Sequence, residues 1–209
     1  MSFQLLNNLD YLDVILQQAG YSEILTLCSS NSNILDYCKH NQRIKNLIIN
    51  KKKEQVQKTD QFLSKLTPSQ YAIVKASSMG DVDIVDELMR RRYKPDIDDN
   101  RAIQKASIKG HALVVNRLLQ DPRVDPSVQN NLSIRWSSEL GYLEVVNRLL
   151  QDHRVDPTVN DNVSIKEANA NEHFDVVDIL LHDPRVYQSL SKDEREFYIR
   201  QINRDIFIE

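Results

Sequence analysis

Apolar residues in the second half of the chain come in pairs four residues apart. Ile84-Val85 precedes Leu88-Met89, Val114-Val115 precedes Leu118-Leu119, Val145-Val146 precedes Leu149-Leu150, and Val176-Val177 precedes Leu180-Leu181. That spacing draws one stripe down a helix. Ahead of each stripe lies a second helical segment rich in small residues. These read Ala72-Ile73-Val74-Lys75-Ala76-Ser77, Ala102-Ile103-Gln104-Lys105-Ala106-Ser107, Ser133-Ile134-Arg135-Trp136-Ser137-Ser138 and Ser164-Ile165-Lys166-Glu167-Ala168-Asn169. Small Ala and Ser let paired helices approach closely. A unit of two such helices cannot bury its stripe alone, so neighbours must stack.

The turn residues keep the same rhythm. Gly80, Gly110 and Gly141 stand 30 and 31 residues apart, and the next step falls on Glu172. A period of this size marks a repeat. Asp121-Pro122 and Asp183-Pro184 predict type I turns that stop the second helix. Pro126 and Pro157 hold the residues before them in an extended stretch. Each unit is therefore expected to be helix, tight turn at Gly, helix, extended loop.

Residues 67–187 resemble the ankyrin repeat family. The likeness rests on Ala-Ser…Gly-His…Val-Val…Leu-Leu, best seen from Ala106 to Leu119, where Gly110-His111 matches the family's Gly-His. Four repeats are expected at 67–96, 97–127, 128–158 and 159–187. The family's Thr-Pro-Leu-His start is absent, and the period is shorter than the family's ~33 residues. Asp99-Asn100, Asn130-Asn131 and Asp161-Asn162 stand where a β-hairpin finger would form. They read as helix N-caps in place of Thr. Asn131-Leu132-Ser133 and Asn162-Val163-Ser164 match glycosylation sequons and read as incidental. The fold class expected is all-α, an ankyrin-type helix-turn-helix solenoid between a small helical domain and a capping helix.

Thr67-Pro68-Ser69-Gln70 reads as a capping box opening the first repeat. Ser191-Lys192-Asp193-Glu194 reads as another, opening a capping helix at 188–209 in which Phe197, Tyr198 and Ile202 cover the end of the stack. Residues 1–48 lie outside the repeat and form short amphipathic helices, with Leu9, Leu12 and Val14-Ile15-Leu16 among their apolar positions and Ser22 and Ser32 as candidate caps. Residues 49–66 read as a helical connector, solvated over 49–61, and Lys51-Lys52-Lys53 as part of its wet face.

The N-terminal segment resembles an F-box-like domain through Tyr21-Ser22-Glu23-Ile24-Leu25-Thr26-Leu27-Cys28-Ser29-Ser30-Asn31, then Ile34, Tyr37-Cys38, Ile44 and Leu47-Ile48. The usual Leu-Pro opening is replaced by Leu6-Asn7. This resemblance implies an adaptor of the Skp type in a cullin ubiquitin ligase, with Leu25, Leu27 and Ile34 as docking candidates that serve equally well as core. Its counterpart is a plain helical cap on the repeats. The combination is similar to proteins of large DNA viruses of amoebae, which implies a host cytoplasm.

Composition narrows the chemistry. The chain has 209 residues and only four Gly, against about fifteen at the usual ~7%. That excludes Gly-rich nucleotide-binding architecture. A net charge of −3 gives no electrostatic sign of nucleic-acid binding. No basic n-region opens the sequence, and no membrane span is read. Cys28 and Cys38 read as free, small hydrophobes in a reducing, cytoplasmic setting. No phosphate loop, nucleophile elbow or zinc helix is found. His111 and His173 share one repeat position, which points to a structural role. No catalytic residue, metal or cofactor is expected.

What remains is a binding surface for a protein target. The two residues before each repeat glycine face partners in ankyrin-like stacks. They include Met79, Ile108, Lys109, Glu139, Leu140 and Asn171, and Trp136 joins them. Met79, Ile108 and Leu140 are apolar where solubility alone favours polar residues; the other reading packs them against the shortened loops. Aromatic residues such as Trp136 anchor interfaces but also serve as packing. Self-association through an uncapped repeat end is the other binding mode, and a groove of clustered ionisable residues would mark an enzyme or nucleic-acid binder.

Overall fold

The computed structural model describes residues 18–30, 32–65 and 71–204. Every element among them is helical. They are α1 (Tyr21–Ser29), α2 (Ser32–His40), α3 (Gln42–Ser64), α4 (Ala72–Met79), α5 (Val82–Arg90), α6 (Ile97–Ile108) and α7 (Ala112–Leu119). Then follow α8 (Val128–Glu139), α9 (Leu143–Leu150), α10 (Val159–Ala170), α11 (Phe174–His182), α12 (Pro184–Ser189) and α13 (Lys192–Arg204). The Thr67–Gln70 capping box and the apolar positions from Leu9 to Leu16 lie outside the described residues. No described helix is long and apolar enough to cross a membrane. Contacts divide the chain into two compact units, 1–72 with 82–92, and 73–81 with 93–209. Thus α5 sorts with the first unit, although the repeat pattern places it in 67–96.

In the first unit α1, α2 and α3 pack on one another. They enclose Ala19, Ile24, Cys28, Ile34, Cys38 and Ile44, with Leu27, Tyr37, Leu47 and Ile48 against that core. The cap of α1 is Gly20, whose N–H donates to the Glu23 carboxylate at 2.9 Å. Ser22 therefore lies inside the helix, and Ser32 is the first residue of α2. Asn41 caps α3, its Oδ1 accepting from the N–H groups of Arg43 and Ile44.

Two expectations change in this unit. Cys28 and Cys38 are not free thiols but a disulfide, with Cα atoms 5.9 Å apart. Two short helices meeting over a small core bring both buried side chains face to face. The connector is helical and exposed along most of its length, but it is not separate from the helix before it and two of its positions are buried. α3 runs unbroken through the boundary at 48–49, and Gln55 and Thr59 are buried. α5 packs along α3, and polar residues serve that seam. The Gln55 amide donates to the Asp83 carbonyl, while Arg90 Nη2 donates to Gln55 Oε1 at 2.7 Å. Arg91 donates to both Glu87 and Asp60.

In the second unit the helix pairs α6–α7, α8–α9 and α10–α11 pack within themselves and pair against pair. Ile103, Ile134 and Ile165 are fully buried, as are Leu118, Leu149 and Leu180. Two sets of hydrogen bonds recur at about the repeat interval, one from Asn and one from Arg. Asn100 Oδ1 accepts from Asp125 N–H and Asn131 Oδ1 from Asp156 N–H, both at 2.8 Å. Asn162 Oδ1 accepts from Ser189 Oγ at 2.7 Å. Arg154 donates to the carbonyls of Val124 and Leu119, and Arg185 to those of Val155 and Leu150. A two-carbonyl clamp needs the planar fork of arginine, which lysine lacks.

These bonds correct the N-cap reading of the Asn residues. Asp98-Asp99-Asn100, Gln129-Asn130-Asn131 and Asn160-Asp161-Asn162 all hold positive φ. Left-handed backbone costs roughly 1–2 kcal/mol per residue except in Gly and, less so, Asn or Asp. The regular helix starts only after each triplet, and the Asn side chain reaches forward to the next loop. Both sequon Asn residues, Asn131 and Asn162, are buried in this way.

The turn expected at Asp183-Pro184 is instead the start of α12. Asp183 caps it, accepting from Arg185 N–H, with Pro184 in its first turn. At Asp121 the turn forms as expected, Val124 N–H donating to the Asp121 carbonyl at 3.0 Å. The Ser191–Glu194 capping box closes in both directions. In α13 Tyr198 is buried and Ile202 half-buried, whereas Phe197 is 46% exposed.

The Asp-x-Arg pairs set an acid limit on the fold. Bonding to Arg154 holds the Asp152 carboxyl below the ordinary range, against the opposing pull of burial. Arg123 does the same for Asp121. At Asp183 burial pushes upward, yet the bonds from Arg185 prevail and the pKa is lowered. A lowered folded pKa stabilises above the unfolded value of about 4, and that contribution is lost as pH falls through the folded one. The Asp152→Asn, Asp183→Asn double variant is therefore expected to be less stable at pH 7. Its stability should fall less steeply than the wild type's below about pH 4. Parallel curves in denaturant titrations at several pH values would exclude this role.

Candidate docking face

The tight turn aligns the second unit. Gly80, Gly110 and Gly141 have φ of +76°, +74° and +73°. At Gly141 a Cβ would lie 2.6 Å from Nδ1 of His173, and at Gly110 it would lie 2.9 Å from the Tyr142 ring. Each glycine thus gives room to the aromatic ring that follows the next turn. His111 also bonds through Nε2 to the Ser78 carbonyl at 3.2 Å. Within the second unit the ring at this position spaces one turn from the next.

α6, α8 and α10 pack one on the next, the His111–Ser78 bond ties the end of α4 to the turn after α6, and positions equally far from each turn make up rows. One row holds Lys75, Lys105, Trp136 and Glu167. The next, one helical turn on, holds Met79, Lys109, Leu140 and Asn171. Met79 is 53% exposed, Leu140 43% and Trp136 37%. Lys109, Glu139 and Asn171 are exposed and Ile108 is half-buried. Leu140 and Met79 therefore stand in solvent, not against the shortened loops. Asn171 Nδ2 donates to its own helix at the Glu167 carbonyl.

The candidates in the first unit separate. Ile34 is 4% exposed and in the core, and Leu27 packs against that core. Only Leu25, 40% exposed, faces outward. Among the described residues no cluster of three or more His, Cys, Asp or Glu is placed to hold a metal. No family model, no curated protein and no solved structure matches the chain.

Sequence reasoning missed one concavity. An open cleft of about 480 Å³ is lined by Leu181, Pro184, Tyr187, Ile199 and Ile202 among others, where α11, α12 and α13 meet. The apolar outer positions Tyr187 and Ile199 were its only signal, and they could be read as a cleft only once α12 was known to be helical.

Proposed function

We propose that residues 67–187 form an ankyrin-type stack of four repeats, and that the protein is a non-catalytic module docking a protein target on the rows of α4, α6, α8 and α10. The observation that carries this reading is the exposed apolar set of Trp136 and Leu140 on aligned, otherwise well-buried helices. Support for the stack comes from the Asn and Arg bonds recurring at the repeat interval. Large aromatic and aliphatic side chains held on rigid helices lose little entropy on binding and are typical anchors.

The test compares Trp136→Ala and Leu140→Asp with wild type. Both variants are expected to keep stability within about 0.5 kcal/mol, as for surface changes. Both are expected to lose the protein that immobilised wild type retains, identified by mass spectrometry. A large drop in the urea midpoint would make these residues core. Unchanged capture by both variants would place docking elsewhere. Light scattering covers the self-associating alternative, for which the mass would rise with concentration and fall in Leu140→Asp.

A further inference from the structure

Charge on these rows is sorted along the stack. Lys75 lies on α4, Lys105 on α6 and Lys109 just past the end of α6, and none is in an ion pair among the described residues. Trp136 on α8 and Leu140 at its C-terminal cap follow. Glu167 closes the row on α10, and Glu139 stands one position before Leu140 at the end of α8, both without an ion pair among the described residues. Other charges on the same helices are neutralised locally, Arg101 by Asp98 and Lys166 by Asp161. Arg135, one position before Trp136, is half-buried, whereas Glu139 is exposed. A solvated surface with no partner has no reason to leave one sign unpaired at one end and the opposite sign unpaired at the other.

We infer that the face binds an extended polypeptide segment that is acidic at one end, apolar in the middle and basic at the other, its acidic end over α4 and α6. This rests on the docking reading above and adds the partner's chemistry. Complementary potentials fix register and suppress wrong partners more than they add raw affinity. Packed helix axes lie roughly 8–10 Å apart, so the two steps from α6 to α10 span roughly 16–20 Å. An extended chain at ~3.3 Å per residue covers that in about six residues, and a few more reach the lysine of α4. A nucleic acid fits poorly, because phosphates that pair with the lysines would continue onto Glu139 and Glu167.

Fluorescence anisotropy with labelled peptides of about twelve residues tests this. All share a central Leu-x-x-Phe anchor. One has acidic then basic flanks, one only acidic flanks, one only basic flanks and one uncharged flanks. The first is expected to bind at least tenfold more tightly than the other three at physiological salt. Lys75→Glu, Lys105→Glu, Lys109→Glu together should weaken it at least tenfold and make the basic-flanked peptide the best ligand. Glu139→Lys with Glu167→Lys should shift preference to the acidic-flanked one. Circular dichroism checks that both variants are folded, since Lys75, Lys109 and Glu139 are exposed and Lys105 and Glu167 half-buried.

Equal binding of all four peptides, abolished by Trp136→Ala, would overturn the charge assignment and leave the docking face standing. No binding of any peptide up to about 1 mM would also overturn it, while capture by the immobilised protein then decides the docking reading separately. Tighter binding of a single-stranded oligonucleotide, lost in the triple lysine variant, would overturn it in favour of a nucleic-acid surface.

Discussion

Leu149→Ala is expected to lower stability by about 2–5 kcal/mol. Leu149 is fully buried on α9, which packs on α7, α8 and α11. Removing its outer carbons costs the transfer free energy of those atoms and leaves a cavity that helices clamped by Arg154 and Arg185 cannot readily close. With a urea slope of ~2 kcal/mol/M, the midpoint should fall by about 1–2.5 M. Stacked units are coupled mainly to their neighbours, so the loss should appear as an early partial transition if cooperativity breaks down. Leu140→Ala provides the contrast. Leu140 has the same side chain but is 43% exposed, and its truncation should change stability by less than about 0.5 kcal/mol. Equal losses at the two positions would mean that the helices are not paired as described.

Gly141→Ala should be nearly as costly, at about 2–4 kcal/mol. Two effects combine. The backbone is left-handed, worth ~1–2 kcal/mol for an ordinary residue. The added Cβ also meets the His173 ring at 2.6 Å, an overpacking typically worth ~1–3 kcal/mol. A double-mutant cycle separates them. His173→Ala in the Gly141→Ala background should restore the steric part and leave the backbone part. Glu172 has φ of +62° at the equivalent place, so the left-handed turn by itself is tolerated. If the double variant is no more stable than Gly141→Ala, the ring contact is not the reason for glycine. A cost below about 0.5 kcal/mol for Gly141→Ala would remove the turn geometry itself.

Much of the architecture was legible because it is repeated. The stripe from Val145 to Leu150 could be a coincidence; the same stripe at four places in register is not. Capping at Ser191–Glu194 was legible because that chemistry is local, between residues three apart. The Asn residues were misread for the opposite reason. Their partners lie 25 residues away at Asp125 and Asp156, and their conformation is left-handed. Eight of the nine residues in the three triplets are Asp or Asn, which was the available sign. In the candidate face, sequence position named Met79, Trp136 and Leu140, but exposure alone distinguishes an anchor from packing. In the first unit the same kind of leucine split, Leu25 outward and Leu27 inward.

The sequence by itself determined the helical class and the glycine turns, because each depends on residues within one or two turns of chain. It also placed the charges of the candidate face in order. Only the tertiary structure decided that Cys28 meets Cys38, that α3 runs through without a break, and that Asn100, Asn131 and Asn162 bridge to loops rather than cap helices. It alone placed Ile34 inside and Leu140 outside. Those outcomes turn on which surfaces meet, and burial and pairing across a distance leave no mark on local spacing.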